Sequence, residues 1–367
     1  MSQSGCGLSI FTTFVQLTNK HEDNAAGIIG NAAIVASAYV GSLVEVSTND
    51  NHWMMTNSTL LIAIVGPTAS GKSDLAVRLA RQLRGEIVNC DSLQMYRYLD
   101  IGTAKPSQEV RKEIPHHLFD FLEPDAVFSA GEYSRRARII LGEISTRSNL
   151  PIVVGGTGFY LRALIDGLFT TPGRDYELRR RLQGREKAKG SGYIHRILNH
   201  LDPVAAANIH ANDLPKVIRA IEVCMLAGKP ISKMYEQGRN KLEGFKIVKI
   251  GLNPNREKLR DKIDQRTVQM FGNGLIEETS DILDRGFPST CAPFQSIGYR
   301  QALDYLLGRI SRKDAIRYAQ AATRQYAKRQ MTWFRKDTTV KWFHGFGSDP
   351  QLQADVLDTL KLLCTSI

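Results

Sequence analysis

The chain is 367 residues long, with 43% hydrophobic and 23% charged residues and a formal net charge of +11. These proportions are those of a soluble globular protein of two domains or one large one, and the positive balance favours a polyanionic partner such as nucleic acid. The five cysteines are odd in number and form no C-x-x-C pair, which argues against a zinc site or disulfide framework and for a reducing cytoplasm.

Residues 1–56 read as an extension. Asn24 to Val44 is rich in Ala, Gly and Val, but Asn24, Asn31 and Ser37 make it a poor membrane span, and no membrane partner is expected. The stretch has neither the basic start and apolar core of a signal peptide nor the arginines of a transit peptide. It is expected to be unstructured, or to lie upstream of a start at Met54 or Met55.

Leu60 to Val65 reads as a buried parallel strand, and Ser73 onward as a helix with Leu75, Ala76, Leu79 and Leu83 on one face. Between them stand Gly66, Pro67, Thr68, Ala69, Ser70, Gly71, Lys72 and Ser73, matching G-x-x-x-x-G-K-[ST] at every constrained position. Backbone N–H groups of such a turn and the helix N-terminus form an anion nest. Lys72 adds a mobile positive charge, and the Ser73 hydroxyl can ligate Mg²⁺. The ligand is therefore a di- or triphosphate; the loop does not specify which.

Gly85 to Cys90 is a second strand, ending at Asp91-Ser92. Ile114 to Asp120 leads into a short apolar segment, Ser129 to Ile144 is helical, and Asn149 to Val154 is a third strand followed by Gly155-Gly156-Thr157-Gly158. From about Pro172 to Glu243 the pattern is helical throughout, and Phe245 to Leu252 alternates again and is predicted to rejoin the sheet. The predicted fold is α/β: a P-loop NTPase-like parallel sheet core over 57–170 and 245–345, an inserted all-helical domain over 171–244, and a tail helix over 346–367.

Asp91 ends a strand, where open α/β sheets bind ligands, and its carboxylate fits a general base, a Mg²⁺ ligand or a turn cap. Thr157 opens onto the same edge, although glycines after a strand also serve for turning alone. The third strand lacks the terminal carboxylate with which nucleotide hydrolases place Mg²⁺ and water, which counts against a motor or GTPase. His116-His117, without cysteine, reads as a packing or polar-contact pair. On a helix from about Ser311 to Lys336, Arg317, Arg324, Lys328 and Arg335 fall within about 40° of one another. Ala315, Ala322, Tyr326 and Trp333 lie opposite, on the predicted core face. This one-sign stripe points to a phosphate backbone, and Arg179-Arg180-Arg181 with Arg185, Lys187 and Lys189 forms a second basic cluster.

Together these residues resemble the tRNA dimethylallyltransferase (tRNA isopentenyltransferase) family from about Leu60 to Phe343. The marks are the loop at 66–73, Asp91-Ser92 with Met95-Tyr96, Asp100-Ile101-Gly102-Thr103-Ala104-Lys105-Pro106, and Val154-Gly155-Gly156-Thr157-Gly158. Arg219-Ala220-Ile221-Glu222-Val223, Ile297-Gly298-Tyr299-Arg300 and Thr323 to Gln330 complete the set. The resemblance implies transfer of a dimethylallyl group from dimethylallyl diphosphate to N6 of the adenosine 3′-adjacent to the anticodon of tRNA, with Mg²⁺. The loop, whose usual label is ATP-binding, would hold the prenyl donor's diphosphate, and the helical insert would embrace the anticodon stem-loop. By motif match Asp91 is the general base, and Thr157, Arg179 and Lys72 act at the reaction centre. Contacts to tRNA fall on Asp91, Ser92, Leu93 and Gln94, on Pro215, Lys216, Val217, Ile218 and Arg219, on Gln295, Ser296, Ile297, Gly298, Tyr299 and Arg300, and on Arg324, Lys328 and Arg329. A monomer is expected. The alternatives are an adenylate isopentenyltransferase acting on a free nucleotide, a P-loop small-molecule kinase, and a non-catalytic RNA-binding protein.

Overall fold

The computed structural model describes residues 54–55, 58–236 and 238–365, so all of the extension expected over residues 1–56 except Met54 and Met55 lies outside them. Met54–Met55 (β1) pairs antiparallel with the start of β2 (Ser58–Val65), bringing two residues of the expected extension into the sheet. Strand β2 faces two cores. Leu60, Ile62 and Ile64 belong with Leu75, Leu79 and Leu83 on one side, and Leu61, Ala63 and Val65 with Tyr133, Ala137 and Leu141 on the other. A strand buried on both faces needs an unbroken apolar run, and Leu60 to Val65 supplies one.

Five further strands are β3 (Gly85–Asn89), β4 (His116–His117), β5 (Leu150–Val154), β6 (Phe245–Leu252) and β7 (Val340–Phe343). The sheet order is β4-β3-β5-β2-β6-β7, with every neighbouring pair parallel. The predicted return of residues 245–252 is found: β6 runs beside β2 from Phe245 opposite Thr59 to Gly251 opposite Val65. Strands β4 and β7 go beyond the sequence reading. At two and four residues, on the sheet's edges, they are too short for alternation to register.

Helix α1 (Lys72–Leu83) follows the first loop and buries the predicted Leu75, Ala76, Leu79 and Leu83. Beyond β3 come α2 (Gln108–Glu113) and α3 (Ala130–Thr146), the latter opened by a capping box between Ser129 and Glu132. Helix α4 (Gly158–Ile165) follows β5. Then come α5 (Tyr176–Lys189), α6 (Tyr193–Leu201), α7 (Pro203–Asn208), α8 (Leu214–Ala227) and α9 (Ile231–Tyr235). These five share a core of their own that includes Leu182, Ile194, Leu198, Val217, Ile221 and Met234. After β6 the chain forms α10 (Arg256–Gly272), α11 (Leu275–Asp284), α12 (Tyr299–Leu306), α13 (Arg312–Phe334) and α14 (Pro350–Thr365).

Two expectations need correction. The C-terminal helix is not a tail: Leu352, Val356, Leu357 and Leu360 of α14 join Leu75 and Leu79 and cover one face of the sheet. The core face of α13 is also rotated from the predicted one. Ala315, Ala319, Ala327, Gln330 and Phe334 are buried, whereas Trp333 is 42% exposed. Helix α13 packs against α4, α10 and α12 together, so its buried arc is set by three neighbours rather than by one apolar stripe.

Candidate active site

Strand register assembles the site. Ile64, Val154 and Asn89 stand level across β2, β5 and β3. The chain therefore leaves the sheet at one height as Val65-Gly66, Gly155-Gly156-Thr157 and Cys90-Asp91, at the carboxyl edge where open parallel sheets bind ligands. Crowding there demands glycine: a Cβ on Gly155 would lie 2.1 Å from the Cys90 carbonyl oxygen.

In the first loop Ala69 and Gly71 take left-handed φ values of 64° and 84°, the backbone alternation that turns consecutive N–H groups to one side. Lys72 Nζ donates to the Pro67 carbonyl at 2.7 Å. Burial pulls the Lys72 ammonium down to about 8; Asp91 opposes that shift and Arg266 adds to it. The Ser70 hydroxyl is buried without a hydrogen-bond partner among the described residues.

Two cavities meet above these loops. A polar cleft of about 460 Å³ is lined by Gly71, Lys72, Ser73, Asp74, Gln94, Gly155, Gly156 and Arg266. A less polar chamber of about 370 Å³ is walled by Ile263, Met270, Phe271, Leu275, Ala319 and Tyr326, with Ser92, Leu93, Gln295, Ser296, Ile297 and Gly298 at its other sides. Thr68, Ala69, Asp91, Thr103 and Arg266 line both.

Asp91 is held by its own turn: its N–H donates to Asn89 Oδ1 at 2.9 Å, and its Oδ1 accepts the Leu93 N–H at 2.9 Å. The capping and functional readings of Asp91 thus coexist, since one oxygen fixes the side chain where the two cavities join. The Thr157 hydroxyl accepts the Ser92 N–H at 3.1 Å and lies behind the Asp91-Ser92 turn. Burial pushes the Tyr326 phenol up to about 12, and Asp91 adds to the shift; hydrogen bonds to Thr157 and Gln330 oppose it. Glu278 accepts N–H groups of Asp100, Ile101 and Gly102 at 2.9, 2.8 and 3.2 Å and the Tyr299 hydroxyl at 2.5 Å. That carboxylate holds the Asp100 to Pro106 segment so that Gly102 and Thr103 reach the chamber.

The other predicted residues divide. Arg179 lines neither cavity; Glu222, fully buried, accepts its Nε at 2.8 Å and its Nη2 at 3.1 Å. Arg219 shares Glu222 through Nη1 at 2.5 Å and also donates to Thr171 Oγ1 and the Pro172 carbonyl. Val217 and Ile218 are buried in the core of α5–α9, which leaves the outer face of that segment to Pro215 and Lys216. Tyr299 is buried and Arg300 exposed. In the cationic stripe Arg324 is paired with Asp264 of α10, and Arg317 with Asp314 at 2.9 Å, while Lys328 and Arg329 are exposed. His117 Nε2 meets Glu86 Oε2 at 2.6 Å and His116 Nδ1 meets the Ile114 carbonyl at 2.7 Å, so both are structural contacts. Sequence reasoning did not single out Arg266, Glu278 or Gly347. Arg266 and Glu278 come from helices distant in sequence, and Gly347 donates its N–H to the Ser70 carbonyl of the phosphate loop; none belongs to a local motif.

Residues 94–337 match the family model described as IPP transferase. The chain belongs to the IPP transferase family. This family member is 52% identical over 298 residues to a tRNA dimethylallyltransferase of Solibacter usitatus, covering 81% of this chain and 97% of that one. It is also 52% identical to the enzyme of the same name from Koribacter versatilis, over 82% and 98% of the two chains. A crystal structure of a tRNA isopentenylpyrophosphate transferase from Bacillus halodurans superposes with a TM-score of 0.62 at 38% identity, over 84% and 97% of the chains. A eukaryotic dimethylallyltransferase acting on tRNA superposes with a TM-score of 0.70 at 26% identity, over 83% and 78%. The family member's parallel sheet and helices are thus those of solved isopentenyltransferases. Among the described residues no helix is long and apolar enough to cross a membrane.

Proposed function

We propose that this chain is a tRNA dimethylallyltransferase, moving the dimethylallyl group of dimethylallyl diphosphate to N6 of the adenosine 3′-adjacent to the anticodon and releasing diphosphate. The observation that carries the mechanism is the position of Asp91, which lines both the polar cleft at the phosphate loop and the chamber beside it. Diphosphate in the cleft and adenine entering through the chamber would meet at that carboxylate.

The chemistry requires this arrangement. An exocyclic adenine amine is a weak nucleophile because its lone pair is delocalised into the ring. It needs the allylic carbon held in line and a base to take the N6 proton as the C–N bond forms and the C–O bond breaks. Asp91 supplies the base. Negative charge grows on the departing diphosphate, so the loop N–H groups and Lys72 tighten their hold in the transition state. A unit-charge contact at about 4 Å and an effective dielectric near 20 corresponds to roughly 4 kcal/mol. Realised only in the transition state, that is up to about three decades in rate. The target base leaves its stack at a cost of a few kcal/mol, which is smaller in a loop.

The cleft fits Mg²⁺ arriving with its ligand. Ser73 and Asp74 line it, strand β5 ends in Val154-Gly155 without a carboxylate, and Mg²⁺ in phosphate sites takes most of its oxygens from phosphate and water. Ser73 would hold the ion, which would neutralise charge on the diphosphate. The exposed Lys328 and Arg329, with Lys216 on the helical insert, are the side chains we assign to the tRNA backbone. The protein would act as a monomer in the cytoplasm.

One assay tests the reading. Purified protein is incubated with labelled dimethylallyl diphosphate and unmodified tRNA, or with AMP. Label is expected on tRNA alone; label on AMP but not tRNA would establish an adenylate isopentenyltransferase instead, and phosphoryl transfer from ATP a kinase.

A further inference from the structure

We infer that Glu278 of α11 is a positioning residue that holds the two walls of the chamber at a fixed distance and thereby restricts the reaction to a short prenyl chain. The inference rests on the proposed dimethylallyl transfer and adds the element that sets donor size. One wall is the turn at Gly102-Thr103, and the other is the segment from Gln295 to Gly298 that runs into α12. The two are far apart in sequence, and Glu278 joins them.

Each wall is rigid in itself. Thr103 Oγ1 donates to the Leu99 carbonyl at 2.5 Å, and Gln94 Nε2 donates to the carbonyls of Thr103 and Ala104 at 3.0 and 3.3 Å. Across the chamber Ser296 Oγ donates to the Pro293 carbonyl at 2.5 Å, and the Gly298 N–H donates to Gln301 Oε1 at 2.9 Å. The spacing of the walls is therefore decided where they meet. Glu278 Oε2 accepts the N–H groups of Asp100 and Ile101. Its Oε1 is shared, accepting the Gly102 N–H from one wall and the Tyr299 hydroxyl from the start of α12. Among the described residues these donors, and no lysine or arginine, meet its charge. Hydrogen bonds to an ionised acceptor are short and strong, so this carboxylate fixes position rather than balancing a cation. Burial and the adjacent Glu278 carboxylate hold the Tyr299 phenol well above its ordinary range, so it remains a donor.

Packing sets the opposite limit. A Cβ on Gly102 would lie 2.4 Å from Tyr299 Cε2 and 2.8 Å from Leu275 Cδ1, and a Cβ on Gly298 would lie 3.5 Å from Leu275 Cδ2. The Tyr299 ring and Leu275 thus stop the walls from closing further, and Glu278 Oε1 stops them from parting. The space so defined is about 370 Å³, near the lower end of the roughly 300–1,000 Å³ of small-molecule sites. An adenine and an allylic chain meeting at Asp91 leave little of it for a second isoprene unit. Releasing the joint widens the chamber in the direction that admits one.

The test compares dimethylallyl and geranyl diphosphate as donors to saturating unmodified tRNA. It uses wild type, Tyr299→Phe, Glu278→Gln and, at an exposed neighbour, Glu277→Gln, with pyrophosphate affinity and thermal unfolding measured in parallel. Both donors meet the same acceptor, so the ratio of their kcat/KM values cancels tRNA affinity and the fraction of folded protein. Wild type should prefer dimethylallyl diphosphate. Tyr299→Phe removes one hydroxyl, keeps the ring and should lower that preference at least about tenfold. Glu278→Gln, whose amide nitrogen cannot accept a hydrogen bond, should lower it further. Pyrophosphate affinity should stay within about twofold, and Glu277→Gln should match wild type. Tyr299→Phe keeps the test valid if Glu278→Gln unfolds. An unchanged donor ratio in folded Tyr299→Phe protein, or a wild type that takes both donors alike, overturns the inference while leaving the function intact. An equal shift in Glu277→Gln, or pyrophosphate affinity falling in step with the ratio, also overturns it, by placing the effect in surface charge or in the phosphate loop. A wild type that prenylates tRNA with neither donor would sink the function reading itself, and the inference with it.

Discussion

Gln330 Oε1 accepts the backbone N–H of Thr68 at 2.8 Å, and the same amide donates through Nε2 to the Gly156 carbonyl at 2.9 Å. One buried side chain of α13 thereby ties the phosphate loop to the loop after β5. Its position is tight, since a Cβ on Gly156 would lie 2.1 Å from Gln330 Nε2. Gln330→Leu leaves a buried donor and a buried acceptor unpaired, at about 1–3 kcal/mol each. Two loops that must hold a reacting diphosphate would lose their spacer. The variant should unfold at lower urea concentration and lose about 10- to 100-fold in kcat, with tRNA affinity little changed. Normal turnover in a folded Gln330→Leu protein would remove the bridge from the mechanism.

The phosphate loop has a second buttress. Gly347 donates its N–H to the Ser70 carbonyl at 2.8 Å, and a Cβ on Gly347 would stand 2.1 Å from the Gly71 carbonyl oxygen. Gly347→Ala must therefore push the loop or the segment before α14. We expect KM for dimethylallyl diphosphate to rise about tenfold or more, with little effect on tRNA binding. Gly142, on α3, has open space around it and serves as control: Gly142→Ala should stabilise the protein by about 0.5–1 kcal/mol through helix propensity and leave KM alone. Equal kinetics in the two variants would show that residues 346–348 do not shape the loop.

These two contacts show which parts of the site the sequence could disclose. The phosphate loop, Asp91-Ser92 and Gly155-Gly156-Thr157 are contiguous motifs at strand ends, where local residue order and parallel register decide geometry, and they meet as the alternation of elements implies. Gln330 reaches Thr68 across 262 residues, and Gly347 reaches Ser70 across a comparable span. Such contacts depend on how α13 and α14 settle on the sheet, which no short-range pattern encodes. The rotated face of α13 has the same origin. Periodicity located the helix, but a polar Gln330 is buried for its hydrogen bonds while Trp333 lies partly exposed over Gly158. Arg179 is the sharpest case. The motif match brings it to the reaction centre, and the structure finds it held by Glu222 within the helical insert.

Lys72 gives the reaction a pH signature. Burial holds its ammonium at about 8 against an ordinary 10.5. In the ligand-free protein the group is charged below about pH 8 and neutral above it. A bound polyanion favours the charged form, so diphosphate binding above pH 8 must take up a proton, and affinity should fall by up to about tenfold per unit there. Lys72→Met should bind weakly with no such component, and the wild-type to Lys72→Met affinity ratio isolates the lysine from the ligand's own titration. Calorimetry in buffers of different ionisation enthalpy measures the uptake directly. A ratio that stays constant from about pH 7 to 10 would show that Lys72 does not titrate in this range.

Glu222 is the carboxylate on which the helical insert depends. It is fully buried, accepts the Asp175 N–H at 2.7 Å, and pairs with Arg179 and Arg219. Burial raises its pKa, but the hydrogen bonds from the two guanidinium groups and Asp175 outweigh that and hold it below the usual carboxylate range. A folded-state pKa below the unfolded value contributes stability that is present at neutral pH and is lost as pH falls through the folded value. Glu222→Gln keeps the shape and removes the charge, leaving two arginines facing a neutral amide. It should cost about 3 kcal/mol at neutral pH, because removing one partner of a buried pair strands the other. The gap from wild type should close in acid, where wild-type Glu222 is itself protonated. Urea unfolding followed across the acid range measures this. A variant as stable as wild type at neutral pH would mean that the charge of Glu222 is not what holds Arg179 and Arg219 in the helical insert.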